Sequence, residues 1–287
     1  MSDDIGREGG QGLERSCETG ILGAPASPGL ERIEARIYGE FYTPHRHDTY
    51  GLGVTLDGVQ TFRYRGEKRV STVGRVIVLH PDEVHDGAAG TEDGLRYRML
   101  YLAPSLLRRA ANGRQAALPF VADPVIDDPA LRDTLLAALV DLDGGLDDLL
   151  VDDIVARIAD GLSRHSGEAA AALSPTAWRA AEKARGYLVA HASRTVRSGE
   201  LEAETGVDRF ALARHFRAAF GTSPYRFQMM RRLERSRILM SEGEPLAGVA
   251  VETGFADQSH FTRMFKRAYG ISPGRWALLV DPHRTRP

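Results

Sequence analysis

One internal repeat limits what this chain can fold into more than any other feature. At a constant offset of 49 residues, "DRFALARHFRAAFGTSP" (208–224) aligns without a gap on "DQSHFTRMFKRAYGISP" (257–273), with 7 of 17 positions identical. The identities are Asp208/Asp257, Arg214/Arg263, Phe216/Phe265, Ala219/Ala268, Gly221/Gly270, Ser223/Ser272 and Pro224/Pro273. Each copy reads as one capped helix. The Asp can accept from the free N–H groups of the first turn. The Gly can take the left-handed conformation that ends a helix, and the Pro beyond prevents continuation. Phe261, Phe265 and Ala268 have the spacing of a core face, whereas Gln258, Ser259, Thr262 and Arg263 fall on a face that folding does not require.

Ahead of each copy lies a second short helical run, "SGELEAETG" (198–206) and "PLAGVAVETG" (245–254). A turn of three or four residues containing Gly206 or Gly254 separates it from the repeat. Helix, short Gly turn and capped second helix make the helix-turn-helix pattern, here present twice. In such a motif the second helix enters the major groove with its N-terminal residues at base edges. Arg209, Phe210, Ala213 and Arg214 hold that place in the first copy, and Gln258, Ser259, Thr262 and Arg263 in the second. Arginine suits guanine, glutamine suits adenine, and Ala or Thr methyls can touch thymine methyls. Between the copies, residues 224–241 form an 18-residue helix candidate. At 1.5 Å per residue it is roughly 27 Å long, a connector able to set two reading helices about one DNA turn apart.

Charge supports a polyanionic partner. From Ser174 onward the chain holds 19 of its 37 Lys/Arg but only 11 of its 39 Asp/Glu, a net of +8 against −10 for the rest. A basic back half fits double-stranded DNA. Two helical hairpins with solvated charges would be the plainer reading, but they would not need arginine at the same exposed place in both copies.

The front half has a different texture. Short alternating runs, "TFRYRG" (61–66) and "LRYRMLYL" (95–102), and the apolar "VIVL" (76–79) read as strands. Turns are expected at Asp57-Gly58, Gly66, Gly74 and Gly87. Leu131, Leu135, Leu139 and Leu142, then Leu146, Leu150, Ile154 and Ile158, recur at helical spacing around "DGG" (143–145) and predict a helical hairpin. Its leucine stripe is either core against the strands or a dimer seam. The expected boundaries are a flexible N-terminal arm (1–30), a barrel (31–105), the hairpin (106–163), a linker (164–175) and the helical domain (176–287). The fold class is α+β multidomain: an N-terminal antiparallel β-barrel with a helical hairpin and a C-terminal all-α domain. The arm lacks a secretory h-region, no apolar run is long enough to span a bilayer, and Cys17 is the only cysteine, so a cytoplasmic chain is expected with no membrane partner.

The stretch "GVDRFALARHFRAAFGTSPYRFQMMRRLERSRILM … VAVETGFADQSHFTRMFKRAYGISPGRW" resembles the DNA-binding domain of the AraC/XylS family of bacterial transcription regulators, over about 178–278. That resemblance implies base contacts at Phe210, Ala213 and Arg214, and at Gln258, Ser259, Thr262 and Arg263. Two departures stand out: Glu202, where the family usually has a small Ala, and Gly248, which interrupts a helix at a cost of about 1 kcal/mol relative to Ala. Either is expected to weaken its half of the reader.

The front half resembles a cupin barrel, the usual sensory domain of such regulators. His45-x-His47 can converge on one strand face, and a later strand can bring His85 opposite. Three imidazoles could hold Zn, Fe, Ni or Cu. A cupin metal site normally adds a Glu shortly after the second His, and here Tyr50 and Gly51 stand at that place. No cofactor is therefore expected, and His45, His47, Tyr50, His85 and Tyr97, with Met99 or Tyr101, are assigned to a pocket for a small-molecule effector. His80, before Pro81, reads as structural. The resemblance further implies a homodimer paired through the helical hairpin, and RNA polymerase as a partner if the chain is an activator. A cupin metalloenzyme, a dioxygenase or isomerase with an appended helical domain, is the rival reading.

Overall fold

A computed structural model describes residues 20–25, 27–110, 118–167 and 173–280. Strands β1 (Gly20–Gly23), β2 (Leu30–Ile37), β3 (Glu40–His45), β4 (Tyr50–Tyr64), β5 (Glu67–Thr72), β6 (Val76–Leu79), β7 (His85–Ala89) and β8 (Leu95–Leu102) come first. Helix α1 (Pro104–Ala110), strand β9 (Val125–Ile126) and helices α2 (Pro129–Ala138) and α3 (Asp148–His165) complete the front half. All pairings are antiparallel. One sheet runs β1-β2-β8-β4-β6-β9; β4 also carries the second sheet, pairing with β5 and β7, and β7 pairs with β3.

The length of β4 explains one difference from expectation. Asp57-Gly58 is not a turn between strands; it lies inside β4, where the ladder with β8 slips between Thr55 and Asp57 and Gly58 has φ 74°. A bulge of this kind bends a strand, and here it passes β4 from one sheet to the other. Gly87 likewise lies within β7, packed against the Tyr42 ring. The turns at Gly66 and Gly74 are present, with φ 83° and 80°. The sheet also begins before residue 31: residues 20–23 pair with β2, and Ile21 packs on the barrel's inner core. Residues 1–19 and 26 of the expected arm, including Cys17, lie outside the described residues.

Strand alternation sorts the front half into two cores. Leu95, Tyr97 and Met99 of β8 face the barrel interior with Ile33, Phe62 and Ile77. Leu100 and Leu102 face outward, against the hairpin with Leu52, Val54 and Val78. There Leu131, Leu135, Leu139, Ile154 and Ile158 are all buried. The leucine stripe is therefore core against the sheet, and it is not free to serve as a dimer seam. Only Leu150 of the stripe is well exposed. Arg32, fully buried on β2, joins sheet to hairpin by donating to the carbonyls of Ala138, Asp141 and Gly144 at 3.1, 2.6 and 2.6 Å.

The back half is all helix among the described residues: α4 (Pro175–Ala190), α5 (Ser198–Thr205), α6 (Arg209–Phe220), α7 (Pro224–Ser241), α8 (Leu246–Glu252), α9 (Gln258–Tyr269) and α10 (Pro273–Val280). The repeat forms α6 and α9. Asp208 accepts from the N–H groups of Phe210 and Ala211, and Asp257 from that of His260. Gly221 and Gly270 close the two helices at φ 72° and 73°. Phe216 and Phe220 centre one small core, Phe261 and Phe265 another, and α7 contributes Phe227 to the first and Leu233 and Met240 to the second. Each fully buried Phe contributes about 1.5–3 kcal/mol. Among the described residues no helix is long and apolar enough to cross a membrane.

Candidate functional site

Two surfaces carry chemistry. The first is the outer face of the repeated helices. Arg209, Phe210, Ala213 and Arg214 on α6 are exposed, as are Gln258, Ser259 and Arg263 on α9, with Thr262 half-buried. Phe210 is 69 % exposed and adds nothing to the core. Glu202, expected to weaken the first motif, has a local role instead. Its Oε1 accepts from the backbone N–H of Arg209 at 2.8 Å and from its Nε at 3.3 Å. A carboxylate there satisfies an otherwise free N–H and suits the positive end of α6. The terminal guanidinium nitrogens of Arg209 stay available. In the second motif the matching place, four residues before the turn glycine, is Ala250, fully buried.

The second surface is a cavity of about 1060 Å³ between the barrel and the helical domain. His45, His47, His85, Tyr97, Met99 and Tyr101 line it from the barrel, and Arg231, Arg237, Tyr269 and Trp276 from the helices. Strand register places His45 opposite His85, with ring centroids 4.3 Å apart, and the His47 ring lies 4.9 Å from that of His85. His45 and His47 are 6.5 Å apart, because β3 ends at His45 and His47 follows in the loop. Burial and the neighbouring imidazoles hold His47 and His85 at about 3 and His45 well below its usual value, although each ring also bonds a backbone carbonyl. All three are neutral near pH 7.

Tyr50, expected in the pocket, lies outside it. Its ring is buried in the core between sheet and hairpin, and its hydroxyl donates to the Pro119 carbonyl at 2.8 Å, so it does not line the cavity. The strand's alternation points it to the face opposite the histidines. His80 is structural: Nε2 accepts from the Val121 N–H at 3.0 Å, so Nδ1 carries the proton toward the Tyr64 hydroxyl at 2.8 Å. The sequence leaves a metal at the three cavity histidines as the alternative to an organic ligand. Asp48 does not join them, since it pairs with Arg231 at 2.8 Å.

The contacts joining the two halves were not legible beforehand. Thr43 of β3 donates its N–H and its hydroxyl to the Gly270 carbonyl at 3.1 and 2.9 Å, and the Arg46 N–H reaches the Arg267 carbonyl at 3.3 Å. The C-terminal end of α9 is thus held by the strand that carries His45. The C-terminal end of α6 is held by buried Arg108 of α1, which donates to the carbonyls of Ala218 and Ala219 at 2.6 and 3.1 Å. Three ion pairs add to the join: Arg226–Asp82 at 2.9 Å, Arg231–Asp48 at 2.8 Å and Arg237–Glu31 at 2.5 Å. An isolated Arg in a helix gives no sign of which distant carbonyl it will reach. The charge split of the halves was the only available signal for these pairs.

Comparison with known proteins matches each half of the chain. Residues 27–159 match the model of the AraC-like ligand binding domain, and residues 201–278 match a helix-turn-helix domain. The HTH-type transcriptional regulator YbfI of Bacillus subtilis is 23% identical over 223 residues, covering 75% of this chain and 80% of that one. LumQ of Photobacterium leiognathi is 28% identical over 95 residues, 33% of this chain and 38% of its own length. Among solved structures, unsaturated fatty acid bound ToxT from Vibrio cholerae superposes with a TM-score of 0.64 at 14% identity, over 95% of this chain and all of that one. The likeness to ToxT shows the shared two-domain fold. With a ligand-binding barrel at its front and a paired DNA reader at its back, each matched by its own family model, this chain belongs to the AraC family of DNA-binding transcription regulators.

Proposed function

We propose that this regulator is switched by a small organic effector held in the interdomain cavity, and that α6 and α9 read two successive stretches of the major groove. The observation that carries the reading is the position of β3. This strand lines the cavity with His45 and at the same time bonds the C-terminal end of α9 through Thr43. An effector that favours one arrangement of β3 therefore favours one arrangement of the reading helix. Only such differential affinity can couple binding to transcription. Arg209, Phe210, Ala213 and Arg214, with Gln258, Ser259, Thr262 and Arg263, form the base-reading set. His45, His47, His85 and Tyr97 belong to the effector pocket.

The protein is read as a non-enzymatic, cytoplasmic regulator acting as a homodimer, with RNA polymerase as a further partner if it activates. Since the leucine stripe is core, a dimer would use another surface. Fluorescence anisotropy on DNA fragments from upstream of its own and neighbouring genes tests the reading. Tight binding to one fragment that responds to a cavity ligand is expected. Binding with no sequence preference, at any ligand concentration, would refute it.

A further inference from the structure

The chemistry of the cavity narrows the effector, given the effector-switched reading above. The decisive groups are the three histidines. The Nδ1 atoms of His45, His47 and His85 lie 2.9, 2.9 and 3.0 Å from the carbonyl oxygens of Thr43, Thr49 and Glu83. A carbonyl oxygen can only accept, so in each ring Nδ1 carries the hydrogen. In a neutral imidazole Nε2 is then a lone pair, and three such acceptors are gathered at one end of the cavity. None of the three rings has a protein partner for Nε2 among the described hydrogen bonds, and that of His47 is fully buried. Oε1 of Gln60, which also lines the cavity, is a fourth acceptor without a donor and, with Nε2 of His47, the second that is fully buried.

Unmet buried acceptors carry a desolvation penalty that a ligand donor relieves, at roughly 1–3 kcal/mol per group. The cations offer the opposite case. Arg231 is paired with Asp48 and Glu234, and Arg237 with Glu31; Arg185 lies beside Glu182. Arg109, the remaining arginine of the lining, is a solvent-exposed residue of α1. The Nε–H groups of Arg231 and Arg237 have no hydrogen-bond partner, but both guanidiniums already face carboxylates, so an acid at the histidine end would meet four acceptors and no cation without a counter-ion. Ile33, Phe62, Ile77, Leu79 and Met99 give the barrel side of the cavity an apolar wall.

We infer that the effector is an uncharged organic molecule with an apolar body and hydroxyl or amide N–H donors, gripped by the Nε2 lone pairs of His45, His47 and His85 and by Gln60. The acid seen in the fold relative does not transfer to this pocket, because the unpartnered groups at the histidine end are acceptors.

Matched pairs of probes test this by calorimetry and thermal shift on the full chain: 2-naphthol against 2-naphthoate, and cis-9-octadecenol against cis-9-octadecenoate. The neutral member of at least one pair should bind ten times or more tighter than its acid. Gln60→Leu should keep or raise the melting temperature, since its Oε1 has no partner to lose, and should weaken the neutral probe severalfold. His85→Leu should weaken it at least tenfold, with His85→Gln restoring part of the loss by supplying an acceptor. Four results would each overturn the inference: acids binding as tightly as their neutral partners, no neutral probe binding, affinities untouched by both Leu variants, or stoichiometric capture of zinc that His85→Leu abolishes. Failure of the wild-type chain to select any DNA sequence would strike the regulator reading instead and leave the pocket chemistry standing.

Discussion

Gly270→Ala should separate the two halves, and the reason is a comparison between three glycines. Gly206, Gly221 and Gly270 all close helices of the reader with φ near 70°. A side chain in this conformation costs about 1 kcal/mol at each. Their surroundings differ. An added Cβ at Gly206 meets nothing within 4 Å. At Gly270 it would lie 2.8 Å from Nδ1 of His45, and 3.0 Å from both the Thr43 carbonyl oxygen and Cβ of Tyr42. At Gly221 it would lie 2.8 and 3.0 Å from Cβ and Cγ of Pro81. Overpacking of this kind adds about 1–3 kcal/mol if the halves stay docked. If they part, the Thr43 bonds to Gly270 are lost instead. Gly206→Ala should therefore lower stability by about 1 kcal/mol. Gly270→Ala and Gly221→Ala should lower it by about 2–4 kcal/mol, or else raise the radius of gyration measured by small-angle scattering. Urea denaturation and scattering on the three variants decide the matter. Equal losses for all three, with unchanged scattering, would show that the barrel does not press on the ends of α6 and α9.

Further outcomes follow from the same geometry. Arg214→Ala and Arg263→Ala should each reduce specific DNA affinity by about 1–3 kcal/mol while leaving melting temperature nearly unchanged, as anisotropy and thermal shift would show; unaltered affinity would remove both from the base-reading set. Glu202→Ala should free Arg209, raise non-specific DNA affinity and steepen its salt dependence by up to about one phosphate contact; an unchanged slope would leave Glu202 as a helix cap alone. Glu234 is pushed up to about 7, first by burial and then by Asp48, against the pull of Arg231. Its folded value lies above its unfolded one, so its contribution is complete below about 4.5 and fades as pH rises through 7. The loss of stability over that window should flatten in Glu234→Gln, although its side chain is 42 % exposed and water screens part of the effect. Arg32→Met should cost about 2–4 kcal/mol in denaturation, because the carbonyls of Ala138, Asp141 and Gly144, at the end of α2 and in the loop beyond it, lose their donor.

The sequence by itself determined the parts of this protein whose physics is local. The repeat of Asp cap, Phe spacing and Gly-Ser-Pro stop specifies α6 and α9 without help from the rest of the chain, and the alternation of 95–102 specifies a strand with two distinct faces. His45 and His85 could be matched because strand pairing is periodic. What failed needed the third dimension. Asp57-Gly58 has the chemistry of a turn, yet the neighbouring β8 ladder continues past it and makes it a bulge. Tyr50 lies close to the histidines in sequence, but the pleat turns it to the opposite core. The leucine stripe is the same pattern whether it meets a sheet or a second chain, and only the sheet's outer face settled which. Glu202 looked like damage until its carboxylate was seen at the first N–H of α6. The cavity itself belongs to neither half. It exists because long, flexible arginines reach across to carboxylates and carbonyls far away in the chain, and no local pattern encodes where such a side chain will end.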